Sequence, residues 1–139
     1  MATFNKFNAF VADIANKVHN LGSDTLKVML TNTAPAPVNA VKADITELAA
    51  GNGYAAGGTQ ATLVSSSQSS GTYTLKLNNV AFTASAGSIG PFRYCVLYNS
   101  TPAAGNLIGW YDYGTALTVT AGNSFQVQFD ATNGVLQLI

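Results

Sequence analysis

The side chains in this 139-residue sequence that could do chemistry are few: one histidine, His19, one cysteine, Cys95, one arginine, Arg93, and six carboxylates. A hydrolytic triad needs a nucleophile, a base and a group that orients the base. Here the one imidazole sits in a helix-patterned segment away from the glycine-rich loops, and no Gly-x-Ser-x-Gly elbow exists. A structural zinc site takes about four nitrogen or sulfur ligands, and one His with one Cys falls short. Asp44, Glu47, Asp112 and Asp130 are the acids to consider for calcium or for paired-carboxylate chemistry. Their spacing does not resemble a calcium-loop ladder, and paired-carboxylate chemistry would need distant acids to be folded together. Gly51-Asn52-Gly53 lacks the downstream Gly-Lys-Ser/Thr of a phosphate-binding loop. The expectation is a protein that is not an enzyme, with no catalytic residues, no cofactor and no metal.

Charge is equally scarce. Asp, Glu, Lys and Arg make up 9% of the chain, and six positive residues balance six negative ones; an ordinary soluble domain carries about 25% charged residues. With no Lys/Arg cluster there is no electrostatic footprint for nucleic acid or an anionic membrane. No stretch reaches the ~18 apolar residues of a membrane span. The beginning of the chain has no apolar signal-peptide core, and the lone Cys95 fits synthesis in a reducing cytoplasm. A domain without the net charge of about 2–8 that keeps small domains apart is expected to self-associate or to live among partners.

Two periodicities organise the chain as a single domain over residues 1–139. Phe4, Phe7, Val11, Ile14, Val18 and Leu21 recur in steps of three and four, which predicts an amphipathic helix over 3–21 with Thr3 as N-cap and Gly22 as stop. Asp13 and Lys17 would pair four residues apart, and His19 would sit in the last turn. From Leu26 the period becomes two. Strands are expected at 26–31, 59–65, 72–77 and 80–82, then at 91–98, 107–113, 116–120, 125–129 and 135–138, with a loop at 66–71 and an Asn133-Gly134 hairpin turn. This pattern predicts a mainly all-β fold, an antiparallel β-sandwich of jelly-roll type with one N-terminal helix, over residues 24–139. A long proline-containing excursion at about 32–58 is either a contact arm or a passive surface segment.

Four blocks carry a family resemblance: Phe10-Val11-Ala12-Asp13 through Val18 to Asp24; Ala43 to Glu47 with Gly51-Asn52-Gly53-Tyr54; Gly90-Pro91-Phe92-Arg93-Tyr94-Cys95-Val96-Leu97-Tyr98; and Leu107 to Gly114. With the Phe125 to Leu138 ending, they resemble the small capsid cement or head-decoration proteins of tailed bacteriophages. The resemblance implies a virion structural protein on the capsid exterior, made in the bacterial cytoplasm, whose partner is the major capsid protein. It supplies no active-site residues.

Two other readings stand beside it. One is a tail or baseplate component. The other is a carbohydrate-binding sandwich presenting Trp110, Tyr111 and Tyr113 as a stacking surface, against which stands burial of the same rings in the core. Candidate interface residues are Phe4, Phe7 and Val11 on the expected helix, Pro35, Pro37 and Tyr54 on the excursion, and Arg93. Arg93 shares a strand face with Cys95 and Leu97, so it is expected to be buried or at an interface and paired with Asp112 or Asp130.

Overall fold

In the computed structural model, which describes residues 2–139, alternation of apolar and polar residues builds ten strands: β1 (Thr3–Lys6), β2 (Leu26–Thr31), β3 (Thr59–Gln60), β4 (Leu63–Ser69), β5 (Thr72–Leu77), β6 (Val80–Thr83), β7 (Ile89–Asn99), β8 (Leu107–Val119), β9 (Ser124–Val127) and β10 (Leu136–Leu138). One short helix, α1 (Ala9–Ala15), joins β1 to β2, and a single 3₁₀ turn occupies Lys42–Asp44. All strand pairs are antiparallel. The five-stranded sheet runs β1-β8-β7-β2-β3, and opposite it lie the β10-β5-β4 sheet and the β6-β9 ribbon. The fold is an all-β sandwich with one helix.

The central strands β2, β7 and β8 are apolar on both faces, and each face is buried differently. Leu26, Val28 and Leu30 join Cys95, Leu97, Ile108 and Tyr111 against Leu75, Leu77, Phe82 and Val127 of the opposing layer. The outer face carries Met29, Tyr94, Val96, Tyr98, Leu107 and Trp110, roofed by Phe7 and Ile45. A register shift between Phe92 and Tyr94 lets Phe92 turn inward with Cys95 and Leu97, where strict alternation from Tyr94 would send it outward.

The first thirty residues depart from the periodic reading. Thr3–Lys6 pairs with β8 (Phe4 opposite Tyr111), because the β8 edge offers backbone partners that an isolated helical turn does not have. The helix starts after Asn8, not Thr3, and no side chain caps it. It ends at Asn16 rather than at Gly22. Lys17 adopts φ +62°, its N–H meets the Ile14 carbonyl, and the Val18 N–H reaches the Asp13 carbonyl at 2.9 Å. That is a Schellman ending with lysine in the seat glycine usually takes, so the expected Asp13–Lys17 helical pair does not form. Phe4 and Phe7 consequently lie off the helix, and Val11 is 56% exposed.

Four later boundaries also differ, the first being the segment 59–65, which splits into β3 beside β2 and the start of β4 beside β5. The serine run belongs to β4, and only Ser70 and Gly71, both at positive φ, turn the hairpin. The segments 107–113 and 116–120 are one strand, β8, passing through Gly114 at φ +80°. Asn133-Gly134 is a turn, but it carries the chain from the β6-β9 ribbon to the β10-β5-β4 sheet instead of closing a hairpin. The strand before it pairs with β6 and the one after it with β5. Asp130 closes this turn by accepting the Thr132 and Asn133 N–H groups at 2.8 Å.

The 32–58 excursion is a cover for the sheet. β3 pairs with only Lys27 and Val28 of β2, so the edge at Leu30 needs other partners. The Tyr54 hydroxyl accepts the Leu30 N–H at 3.1 Å and donates to Glu47 Oε1 at 2.7 Å, while the Leu48 N–H donates to the Leu30 carbonyl at 2.8 Å. On the far side the Tyr98 hydroxyl donates to the Gly57 carbonyl at 2.6 Å. Gly58 is required here: at φ +76°, a Cβ would stand 1.8 Å from the Val28 carbonyl oxygen.

Two substitutions check this architecture by urea unfolding. Phe7→Ala should cost about 3–5 kcal/mol, whereas Val11→Ala should stay within about 0.5 kcal/mol. Tyr54→Phe should cost about 1–3 kcal/mol, because the Leu30 N–H loses its acceptor and the Glu47 carboxylate a donor.

Candidate functional site

Strand β8 holds the aromatic run Trp110-Tyr111-Asp112-Tyr113, and strand alternation sends its members to opposite faces. The Trp110 ring lies 4.6 Å from that of Phe7, under the outer cover. Tyr111 sits between Phe4 (5.5 Å) and Phe129 (6.0 Å), and Tyr113 meets Phe125 edge-on at 5.2 Å. Trp110 is 9% and Tyr111 6% exposed, and Tyr113 is half-buried, so two of the three rings that would stack a sugar are core. Burial pushes both tyrosine hydroxyls above their ordinary pKa and the Cys95 thiol up to about 12, which leaves that thiol protonated and unreactive.

Arg93 does pair with Asp112, by a fork of two bonds at 2.8 and 3.0 Å, and its guanidinium lies 5.3 Å from the Tyr94 ring centre. The pair is not buried: both side chains keep more than a third of their surface. A guanidinium on a five-atom reach can leave a strand face that two shorter neighbours bury. Hydrogen bonding to Arg93, then to the Gly114 N–H, holds the Asp112 carboxyl below the usual range. Asp130 is committed to its own turn.

His19 is the site residue whose surroundings the periodicity misplaced. It is buried, not at a helix end on the surface, and packs 5.4 Å from the Phe10 ring. Asn99 fixes its tautomer. The Asn99 Oδ1 accepts the Thr101 N–H at 3.0 Å and its amide nitrogen donates to Asp24 at 2.7 Å, so the amide orientation is set. The same amide nitrogen lies 3.0 Å from His19 Nδ1, which must therefore accept, leaving the proton on Nε2. Among the described residues Nε2 has no hydrogen-bond partner; Asp13 Oδ2 is 3.8 Å away and accepts from Asn106 instead. Desolvation lowers the His19 pKa, with Asp13 and then Asp24 opposing it.

Beside His19 the layers diverge into an open cleft of about 640 Å³, lined by Ile14, Lys17, Leu21, Tyr73 and Leu138, with Ser66 bonded to the Tyr73 hydroxyl at 2.8 Å. Its mixed polar and apolar walls hold no free acid–base pair: the Ser66 hydroxyl is engaged by a phenol, and the imidazole by an amide. Among the described residues no three His, Cys, Asp or Glu side chains converge as metal ligands would.

The proposed interface residues scatter. Phe7 and Tyr54 are core, and Phe4 and Pro35 are half-buried. Phe4 covers Gly109, where a Cβ would meet its ring at 2.3 Å. Only Val11 and Pro37 remain as neighbours at the surface: the Asn8 N–H, one helical turn from Val11, donates to the Pro37 carbonyl at 2.9 Å. Val38, 78% exposed, extends that patch. Sequence reading passed over Val38 because a lone valine after a proline has no periodic signal.

Comparison with protein-family models, with curated proteins and with solved structures gave no match.

The His19 network predicts a specific pH response. A histidine whose folded pKa lies below the ordinary 6.5 contributes stability that is complete above pH 6.5 and is lost as pH falls through the folded value. Unfolding free energy should therefore begin to decline as pH falls below about 6.5, before the lowered carboxyls Asp44, Asp112 and Asp130 add their own loss below about pH 4. His19→Gln, which keeps an acceptor for Asn99, should flatten the upper window. A wild-type profile already flat there would contradict the assignment.

Proposed function

We propose that this protein is a virion structural module, a cement protein that binds the outside of a phage capsid shell and reinforces it through contact alone. The reading comes from the resemblance of four sequence blocks to head-decoration proteins, and the observation that supports it is the scarcity of charge, 9% of residues with none in excess. Physical features support it. Cementing needs a stiff frame, and the central sheet is buried on both faces. It also needs contact surfaces that do not depend on charge. With no net charge, and with Arg93 paired to Asp112 and Lys42 to Glu47, the chain presents no excess of either sign to steer a partner electrostatically. Weak contacts repeated by capsid symmetry can gain ~10²–10⁴ in avidity without a strong single contact.

The exposed Val11, Pro37 and Val38 patch is the surface on which this reading places the shell contact. The carbohydrate alternative loses its footing with the burial of Trp110 and Tyr111.

Purified protein mixed with mature capsids that lack it tests the proposal. Binding should survive a rise from about 0.1 to 1 M salt with little change, since screening has few charges to act on. Val11→Asp with Val38→Asp should weaken it about tenfold or more while leaving unfolding unchanged, as both sites are solvent-exposed. Failure to bind at either salt, together with undecorated heads as heat-resistant as decorated ones, would overturn the cement reading. Binding to tails instead of heads would favour the baseplate reading.

A further inference from the structure

The sheet edges of this molecule are treated unequally. β2 is covered beyond β3 by the Tyr54 hydroxyl and the Leu48 N–H, β1 is four residues long, and β10 is three. β4 is the exception: seven residues, Leu63–Ser69, paired on one side to β5 and at the edge of its sheet on the other. Among the described residues, no β4 backbone group bonds outside the β4–β5 ladder. Proteins ordinarily guard such an edge with lysine, proline or an inward charge. β4 has none of these, only a register shift between Leu63 and Ser65 at its start. Leu63 and Val64, 44% and 56% exposed, flank that shift.

We propose that the β4 edge pairs with the same edge of a second copy of this chain, antiparallel about a two-fold axis at Ser67. A two-fold edge brings each residue against its own kind or a near neighbour, with strands ~5 Å apart, so a single charge near the axis would be repelled by its mate. The β4 sequence is self-complementary in this respect. Ser67 meets Ser67, Ser65 meets Ser69 of the second copy, and Ser66 meets Gln68, all neutral and able to share hydrogen bonds. Leu63 and Val64 fall beside the Ser70-Gly71 turn of the second copy, which removes part of their exposure. The two three-stranded sheets become one continuous six-stranded sheet, and two free edges vanish. A charged partner strand would gain nothing from an uncharged edge; a second copy supplies the neutral strand the edge fits. Of the residues expected to carry self-association, Phe7 and Tyr54 are buried within one chain and Phe4 and Pro35 are half-buried, while Val11 and Pro37 stay exposed on a patch separate from β4.

The test uses purified protein with no capsid present, so its outcome is separate from that of the cement reading. Sedimentation equilibrium should show a dimer at about 100 μM. Ser67→Lys and Ser67→Glu, at an exposed position, should each be folded monomers with unfolding midpoints close to wild type. Mixed in equal amounts, the two should associate again, since opposite charges then meet across the axis. A wild-type monomer at that concentration would overturn the proposal. So would a dimer untouched by Ser67→Lys, or a Lys and Glu mixture that stays monomeric.

Discussion

Everything in this molecule follows from a central sheet that is apolar on both faces. A typical antiparallel sheet buries one side and wets the other. Here β2, β7 and β8 send Val28, Leu97 and Ile108 one way and Met29, Val96 and Leu107 the other, all at 1% exposure or less. One cover is the second layer of strands. The other must come from chain with no regular structure of its own, and the 32–58 excursion and the β1–α1 junction serve that need. The hydrogen bonds of Tyr54, Leu48 and Tyr98 fasten the first, and the stacking of Phe7 on Trp110 fastens the second. A long loop that looks like a free arm is thereby committed to structure.

The same economy shapes the surface. Most charges that exist are spent internally: Arg93 on Asp112, Lys42 on Glu47, Asp44 and Asp130 on backbone N–H groups, and Asp24 on Asn99. What faces solvent is largely hydroxyl and amide, with a few valines and leucines and a thin scatter of charges such as Lys6 and Lys17. Such a surface binds by shape and repetition rather than by steering, and it carries little protection against its own kind. Neutrality, the open β4 edge and the Val11–Val38 patch are three expressions of one property.

Much of this was legible in the residues. Alternation located β2 and β5 to the residue and the core of β7, and the lone arginine pointed to Asp112 or Asp130, of which Asp112 takes it, at the surface and not buried. The failures share a cause, which is that local pattern cannot see a distant partner. Phe4 and Phe7 fit a helical stripe, but the β8 edge claims Thr3–Lys6. Ser66 to Ser69 reads as loop by propensity, yet pairing with Tyr73 and Leu75 makes it strand. Asn133-Gly134 announces a turn without saying which strands it separates. His19 reads as a surface residue, and only the fold brings Asn99, eighty positions away, to its ring.

Native-state hydrogen exchange tests the central claim most directly, because it reports whether the excursion is part of the sheet or an arm beside it. If the outer cover is structural, the Leu48 amide, bonded to the Leu30 carbonyl, and the Leu30 amide, bonded to Tyr54, open only with global unfolding. Their protection should then match that of Val96 in β7, and all three should fall together in Tyr54→Phe. A Leu48 amide that exchanges freely while Val96 remains protected would contradict the account and return residues 32–58 to the status of a mobile arm.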